Sequence, residues 1–163
     1  MAVPRKITQN KAVLAGCIPQ IKVWHKNNAD SQRLAEIPGI GPIIATALIA
    51  TIGNARNFKN GRELAAWIGL VPKQHSTGGK QTLLGISKRG DGYLRKLLIH
   101  GARSLTYYAG KRISPDSWLS KLMARRHINV AVVAQANKTA RTVWAILVHG
   151  REFRPDYALK AAA

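Results

Sequence analysis

The amino-acid sequence predicts an all-α domain: a compact multi-helix unit with one tight glycine-rich turn between two helices and at most one short β-hairpin near residues 71–84. Apolar residues recur at three- and four-residue spacing through 92–109 and 129–149, the period of a helix with one buried face. The segments between them are closed by Gly, Pro and Asn rather than by alternating strand patterns. At 163 residues and 46% apolar, the chain is long enough for one core of its own.

Residues 1–30 are the least patterned. Ile18, Ile21, Val23 and Trp24 suggest only a short helix, interrupted by Pro19, Asn27 and Asn28, so this segment is expected to be loosely attached. The domain proper is expected over 31–150, with 151–163 as a tail. Asp30 or Ser31 is placed to cap a short helix that ends before Pro38. The turn IPGIGP follows, with Pro42 at the first position of the next helix. That helix, IIATALIATI, is apolar almost all round and should be buried, with Gly53 as its stop. At ten residues its apolar run is too short to cross a bilayer. A turn, NARNFKN, leads to a short helix, RELAAWI, stopped by Gly69.

Beyond the loop that follows Gly69, Asp91 is the expected N-cap of GYLRKLLIHGARSLTYYA, whose stripe is Leu94, Leu97, Leu98, Ala102 and Leu105. Ser114, Pro115 and Asp116 are expected to start a helix through Trp118, Leu119, Leu122 and Met123. Asn129 should open the last one, burying Val133, Ala136 or Asn137, Ala140, Trp144 and Leu147, with Gly150 as stop.

Charge narrows the function. Lysine and arginine number 26 against 7 acids, a net charge of +19. Such an excess opposes compaction and points to a polyanionic partner. The cations are spread over several segments instead of one amphipathic helix, which favours nucleic acid over a membrane surface. The acids are scattered, and five histidines with the single Cys17 show no zinc-type spacing, so no metal site is expected in this chain. A lone cysteine suits a reducing cytoplasm, and the first residues lack a secretory core, so a cytoplasmic setting is expected.

Two stretches carry candidate chemistry. In LAEIPGIGPIIATAL, Gly39 and Gly41 allow a sharp turn and close approach to a ligand. The amides of Ile40 and Gly41, with the start of the next helix, then point outward together to receive a backbone phosphate of duplex DNA, with Gly39 shaping the turn. The stretch resembles the helix-hairpin-helix module, which grips duplex DNA without reading its sequence. The second stretch, residues 69–103, sets Lys73, His75, Lys80, Lys88, Arg89, Arg95, Lys96 and Arg103 around Ser76, Thr77, Thr82 and Ser87. Gly78, Gly79 and Gly85 free the backbone near those hydroxyls. A serine attacking a phosphodiester needs cations to stabilise the charge growing on phosphate, and Lys and Arg supply them. A solvated turn would look similar from these residues alone.

These blocks together, from IPGIGPIIATALIATIG through FKNGRELAAWIGLVP, HSTGGK and LLGISKRGDGYLRKLLIHGAR to NVAVVAQANKTARTVWAIL, resemble the C-terminal half of transposases of the insertion-sequence one-hundred-and-ten group, the part often called the transposase-twenty domain. The match is collinear over about 34–150. The resemblance implies DNA transposition by a serine recombinase-like strand transfer, in which a serine of the loop becomes joined to DNA. Counted back from Ser87, that serine is Ser76; counted from Pro72, the position falls on Thr77, and Ser87 is a third candidate. Lys73, Lys80, Lys88, Arg89 and Arg95 are then the phosphate partners.

The resemblance also implies partners: duplex DNA, in some members a guide RNA, an N-terminal RuvC-like acidic domain that binds divalent metal, and several protomers acting together. That acidic domain has no counterpart here, so a truncated or excised C-terminal part, inactive by itself, is expected. A non-catalytic, sequence-independent DNA-binding module is the second reading. A basic RNA-binding or ribosome-associated protein is the third, weakened because few aromatics look exposed.

Overall fold

The computed structural model describes residues 5–77, 80–107 and 114–154, with side chains over 16–75, 84–107 and 114–154. Its first element, α1 (Arg5–Lys26), is a 22-residue helix where the sequence predicts a broken short one. Pro19 lies inside it, exposed, and removes a single backbone donor, the one that would have reached the Ala15 carbonyl. Tertiary contacts outweigh this local breaker. The His25 ring nitrogen Nδ1 sits 2.7 Å from Oγ of fully buried Ser31, the Gln32 amide donates to the Lys26 carbonyl, and α1 packs on the two helices that follow.

The first of those is α2 (Ala29–Ala35). Asn28, which looks like a breaker in the sequence, is its cap and accepts from the Ser31 amide at 2.8 Å. Asp30 and Ser31, the two expected caps, both stand inside the first turn, where Asp30 pairs with Arg33 at 2.7 Å. Residues 36–41 turn the chain into α3 (Pro42–Ile52), with proline in its first turn and Gly53 at its end, as expected. Ala45, Leu48 and Ile52 are buried, whereas Ile43 at the helix start is exposed. A 3-10 turn over Ala55–Asn57 leads to α4 (Gly61–Trp67). Asn60 caps it, accepting from the Arg62 and Glu63 amides at 3.0 Å, while Glu63 reaches back to the Lys59 amide at 2.6 Å.

The hairpin is real. Strands β1 (Pro72–Thr77) and β2 (Lys80–Ile86) pair antiparallel with Gln74 opposite Leu83, Ser76 opposite Gln81 and Thr77 opposite Lys80. The register is irregular between Pro72 and Gln74. Helix α5 (Gly92–Tyr107) follows, capped by Asp91, whose carboxylate accepts from the Leu94 amide at 2.7 Å. Helix α6 (Trp118–Arg125) begins later than expected, because Ser117 is its cap and residues 114–116 form the preceding turn. Helix α7 (Ile128–His149) is capped by the His127 ring, which accepts from the Asn129 amide at 3.2 Å, and stops at left-handed Gly150.

Helix α7 is the axis of the molecule and touches α2, α4, α5 and α6. Its buried residues are Ala131, Val132, Ala136, Thr139, Ala140, Val143 and Ile146. The expected stripe is thus rotated by one residue: Val132 and Val143 are inside, while Val133, Trp144 and Leu147 are only partly covered. The sequence is apolar on both flanks of that stripe, so periodicity alone does not fix its phase. Trp144 sits at the rim because its indole N–H donates to the Phe58 carbonyl at 3.0 Å. The core joins these residues to Leu34, Leu48, Leu64, Ile68, Leu70, Leu94 and Leu98, so every helix from α2 to α5 contributes to it.

Candidate nucleic-acid interface and attack loop

The turn between α2 and α3 is held from inside. The Ile40 amide, expected to face a ligand, donates to the Ile37 carbonyl at 2.9 Å, and the Ile40 side chain is buried. That contact takes Ile40 out of the outward-facing set. Gly39, at φ +89°, lies against α5: a Cβ there would stand 2.7 Å from the Gly101 carbonyl oxygen. The glycine is therefore required by backbone-to-backbone packing. The α3 N-terminus at Gly41 has no side-chain cap, which leaves the first-turn amides beyond Pro42 as donors for an outside acceptor.

The second stretch divides into a fixed base and a projecting hairpin. At the base, the Ser87 amide donates to the Val71 carbonyl at 2.8 Å and the Lys88 amide to the Gly69 carbonyl at 3.1 Å. Lys88 is held at φ +55°, a left-handed conformation costly for a side chain, and its side chain is exposed, as is that of Arg89. Gly90, at φ +101°, presses its backbone on the end of α4, where a Cβ would meet the Trp67 carbonyl oxygen at 1.8 Å. The Asn137 side-chain amide on α7 donates to the Leu70 carbonyl at 3.1 Å and ties the base to the core.

Arg95 belongs to that base as well. Its Nη1 donates to the Ile68 carbonyl at 2.8 Å, so the guanidinium closes the C-terminal end of α4. Arg95→Ala is expected to cost about 1–3 kcal/mol of stability, the scale of a hydrogen bond from a charged donor to a part-buried carbonyl. Denaturant melts of the two proteins check this, and a variant as stable as the parent would show that the contact is dispensable.

From this base β1 and β2 pack mainly on each other. Lys73 and His75 are exposed on β1. Ser76 is the last strand position but one, next to the terminal Thr77–Lys80 pair. The side chains of Ser76, Thr77, Lys80 and Thr82 and all of Gly78 and Gly79 lie outside the described residues. Ser87 stands apart from Ser76 at the opposite end of the hairpin, with its Oγ buried and without a hydrogen-bond partner. The structure thus gathers Lys73, Ser76 and Lys80 on the hairpin and Lys88 and Arg89 at its base, while Gly39, Ile40 and Gly41 belong to the separate α2–α3 turn.

The sequence reading misses two features. One is exposure of aromatic rings: Trp24, Trp67, Tyr93, Tyr107 and Trp118 are all exposed, against the expectation of few. The other is a groove of about 1690 Å³ along α7, walled by Leu84 and Ile86 of β2, Trp118 of α6, and Phe153. There the Lys138 ammonium lies 4.9 Å from the Trp118 ring centroid. Both arise from elements distant in sequence; the only local trace is the second apolar flank of α7. Among the described residues, no three His, Cys, Asp or Glu side chains group as a cation site, and no helix is long and apolar enough to cross a membrane.

Comparison with known proteins adds a family. The family model described as "Transposase IS116/IS110/IS902 family" matches residues 31–115. A "Probable family 20 transposase" of Pseudomonas aeruginosa is 53% identical over 137 residues, covering 83% of this chain and 40% of that protein. The "Transposase for insertion sequence element IS1111A" of Coxiella burnetii is 46% identical over 136 residues, covering 83% and 37% respectively. The "Transposase for insertion sequence element IS1328" of Yersinia enterocolitica is 42% identical over 156 residues, covering 91% and 46%. The chain spans less than half the length of each of these relatives.

Proposed function

The chain belongs to the IS116/IS110/IS902 family of transposases, and on that premise we propose that it is the DNA-gripping, strand-attacking part of a transposase. The observation that carries this reading is the β-hairpin with Ser76 near its tip and Lys73 exposed on β1, set on a base where Lys88 and Arg89 stand exposed. In the proposed step the Ser76 hydroxyl oxygen attacks the phosphorus of a DNA phosphodiester. An Oγ–P bond forms and the bond from phosphorus to one sugar oxygen breaks. The serine proton leaves to a base, and the departing oxygen takes up a proton. Lys73, Lys80, Lys88 and Arg89 stabilise the charge on the non-bridging oxygens. Gly41 and the first turn of α3 hold a backbone phosphate of the same duplex.

The reading includes an acidic RuvC-like domain that supplies divalent metal, a guide RNA and an assembly of several protomers. Relatives more than twice as long as this chain support the need for a further domain. A non-catalytic DNA-binding module is the second reading, favoured by the α2–α3 turn, which needs no chemistry to bind a phosphate.

The test is to incubate the chain with insertion-element end DNA, with and without the acidic domain, and to denature, digest and weigh the peptides. A nucleotide remnant on Ser76 is expected when the acidic domain is present. A remnant on Thr77, Ser87 or elsewhere overturns the assignment, and DNA binding without any remnant leaves the non-catalytic module. Duplex affinity should also fall with salt, by a slope of roughly −0.9 per neutralised phosphate. A flat dependence would remove both readings.

A further inference from the structure

Helix α5 buries Leu94, Leu98, Gly101, Ala102 and Thr106, and its opposite face is formed by Tyr93, Lys96, His100, Arg103 and Tyr107. These five recur at alternating steps of three and four, so they form one stripe, about 21 Å long at the rise of a helix. All five are exposed, with Tyr93 at 58% and Tyr107 at 83%. No acid occurs on the helix, in a chain of net charge +19.

Two exposed phenol rings bracketing two cations are more than a duplex backbone needs, since phosphates ask only for charge and hydrogen-bond donors. Flat aromatic faces are useful where bases are unpaired and can stack on them. The fold also fixes where this stripe lies. Gly39 meets Gly101 backbone to backbone, and Ile44 in the first turn of α3 reaches to within 3.2 Å of a Cβ position on Gly101. The α3 N-terminus therefore packs on the buried face of α5 at the level of Gly101, and the stripe faces away from it into solvent.

We propose that the exposed stripe of α5 is a binding platform for an unpaired DNA strand, with Tyr93 and Tyr107 stacking on bases and Lys96 and Arg103 pairing with phosphates. This rests on the DNA-binding reading above and adds a single-strand subsite to it. Such a subsite would receive the strand that becomes unpaired when DNA is opened for exchange.

The test compares a fluorescent 20-nucleotide DNA single strand, the corresponding 20-base-pair duplex and a single-stranded RNA of equal length. The parent protein is set beside Tyr93→Ala/Tyr107→Ala and Tyr93→Phe/Tyr107→Phe. The alanine variant is expected to lose about tenfold in single-strand DNA affinity for each ring removed, on the scale of base–aromatic stacking. It should keep its duplex affinity within twofold, and the phenylalanine variant should bind like the parent. Loss of duplex and single-strand binding together, no loss at all, or an effect on RNA alone overturns the platform. If duplex binding persists with an unaltered single-strand affinity, this inference fails and the transposase reading stands. If neither DNA form is bound by the parent, the transposase reading fails first. The rings are exposed, so unchanged thermal melts should accompany the variants and exclude misfolding as the cause.

Discussion

Ser76→Ala, assayed with the acidic domain and element-end DNA, should abolish the covalent protein–DNA joint. Removing a covalent nucleophile from an enzyme costs on the order of a million-fold in rate, so no adduct should be detected. Duplex affinity should stay within twofold, because phosphate contacts from Lys73, Lys88, Arg89 and the α3 N-terminus do not involve this hydroxyl. Ser76→Cys should give weak or no joint, since sulfur reacts poorly at phosphorus in place of an alkoxide. Two companion variants make the assignment specific: Thr77→Ala and Ser87→Ala should both retain the joint. Ser87→Ala has a second readout. Its Oγ is buried without a partner, so removing it should leave stability unchanged or raise it by up to about 1 kcal/mol. An adduct that persists in Ser76→Ala and disappears in either companion would transfer the role to that residue.

Gly90→Ala should produce the largest loss of stability of any single methyl group added to the hairpin base. The new Cβ would stand 1.8 Å from the Trp67 carbonyl oxygen and 2.9 Å from its carbon, and φ is +101°, which L side chains rarely adopt. The backbone strain alone costs about 1–3 kcal/mol, and relieving the clash requires the end of α4 to separate from the start of α5. A loss of at least ~3 kcal/mol is expected, readable as a shift in the denaturation midpoint. The separation would also disturb the Arg95–Ile68 hydrogen bond, so the joint at Ser76 should weaken as well. Lys88→Gly provides the contrast two positions away. It relaxes a left-handed residue at φ +55° and should change stability by no more than about 1 kcal/mol in either direction. If Gly90→Ala melts with the parent, the backbone contact with Trp67 is not a constraint on the base.

Local signals account well for the elements that depend on a few neighbouring residues. Asp91 is readable as a cap because a carboxylate three residues before Leu94 satisfies that amide. Pro42, Gly53 and Gly150 mark helix ends because their backbone preferences are intrinsic. Other elements are decided by long-range contacts. Pro19 and Asn28 read as breakers, yet one sits in an unbroken helix and the other is a cap, because α1 docks on α2 and α3. The phase of α7 depends on which flank meets α4 and α5, a choice its own periodicity leaves open.

The same division runs through the site. Net charge, the glycine-rich turn and the hydroxyl-rich hairpin segment are legible in the sequence, and the blocks around them carry the resemblance to the family, because backbone freedom and net charge are properties of the residues themselves. Tertiary structure decides how each residue is used. It gives Gly39 to packing against Gly101, the Ile40 amide to the Ile37 carbonyl and Arg95 to the Ile68 carbonyl. It also lines up Tyr93, Lys96, His100, Arg103 and Tyr107 on one outward face of α5, turned away from the core. The physical reason is that a hydrogen bond or a buried contact is satisfied by whatever group the fold brings near. The identity of that group is set by packing between segments distant along the chain.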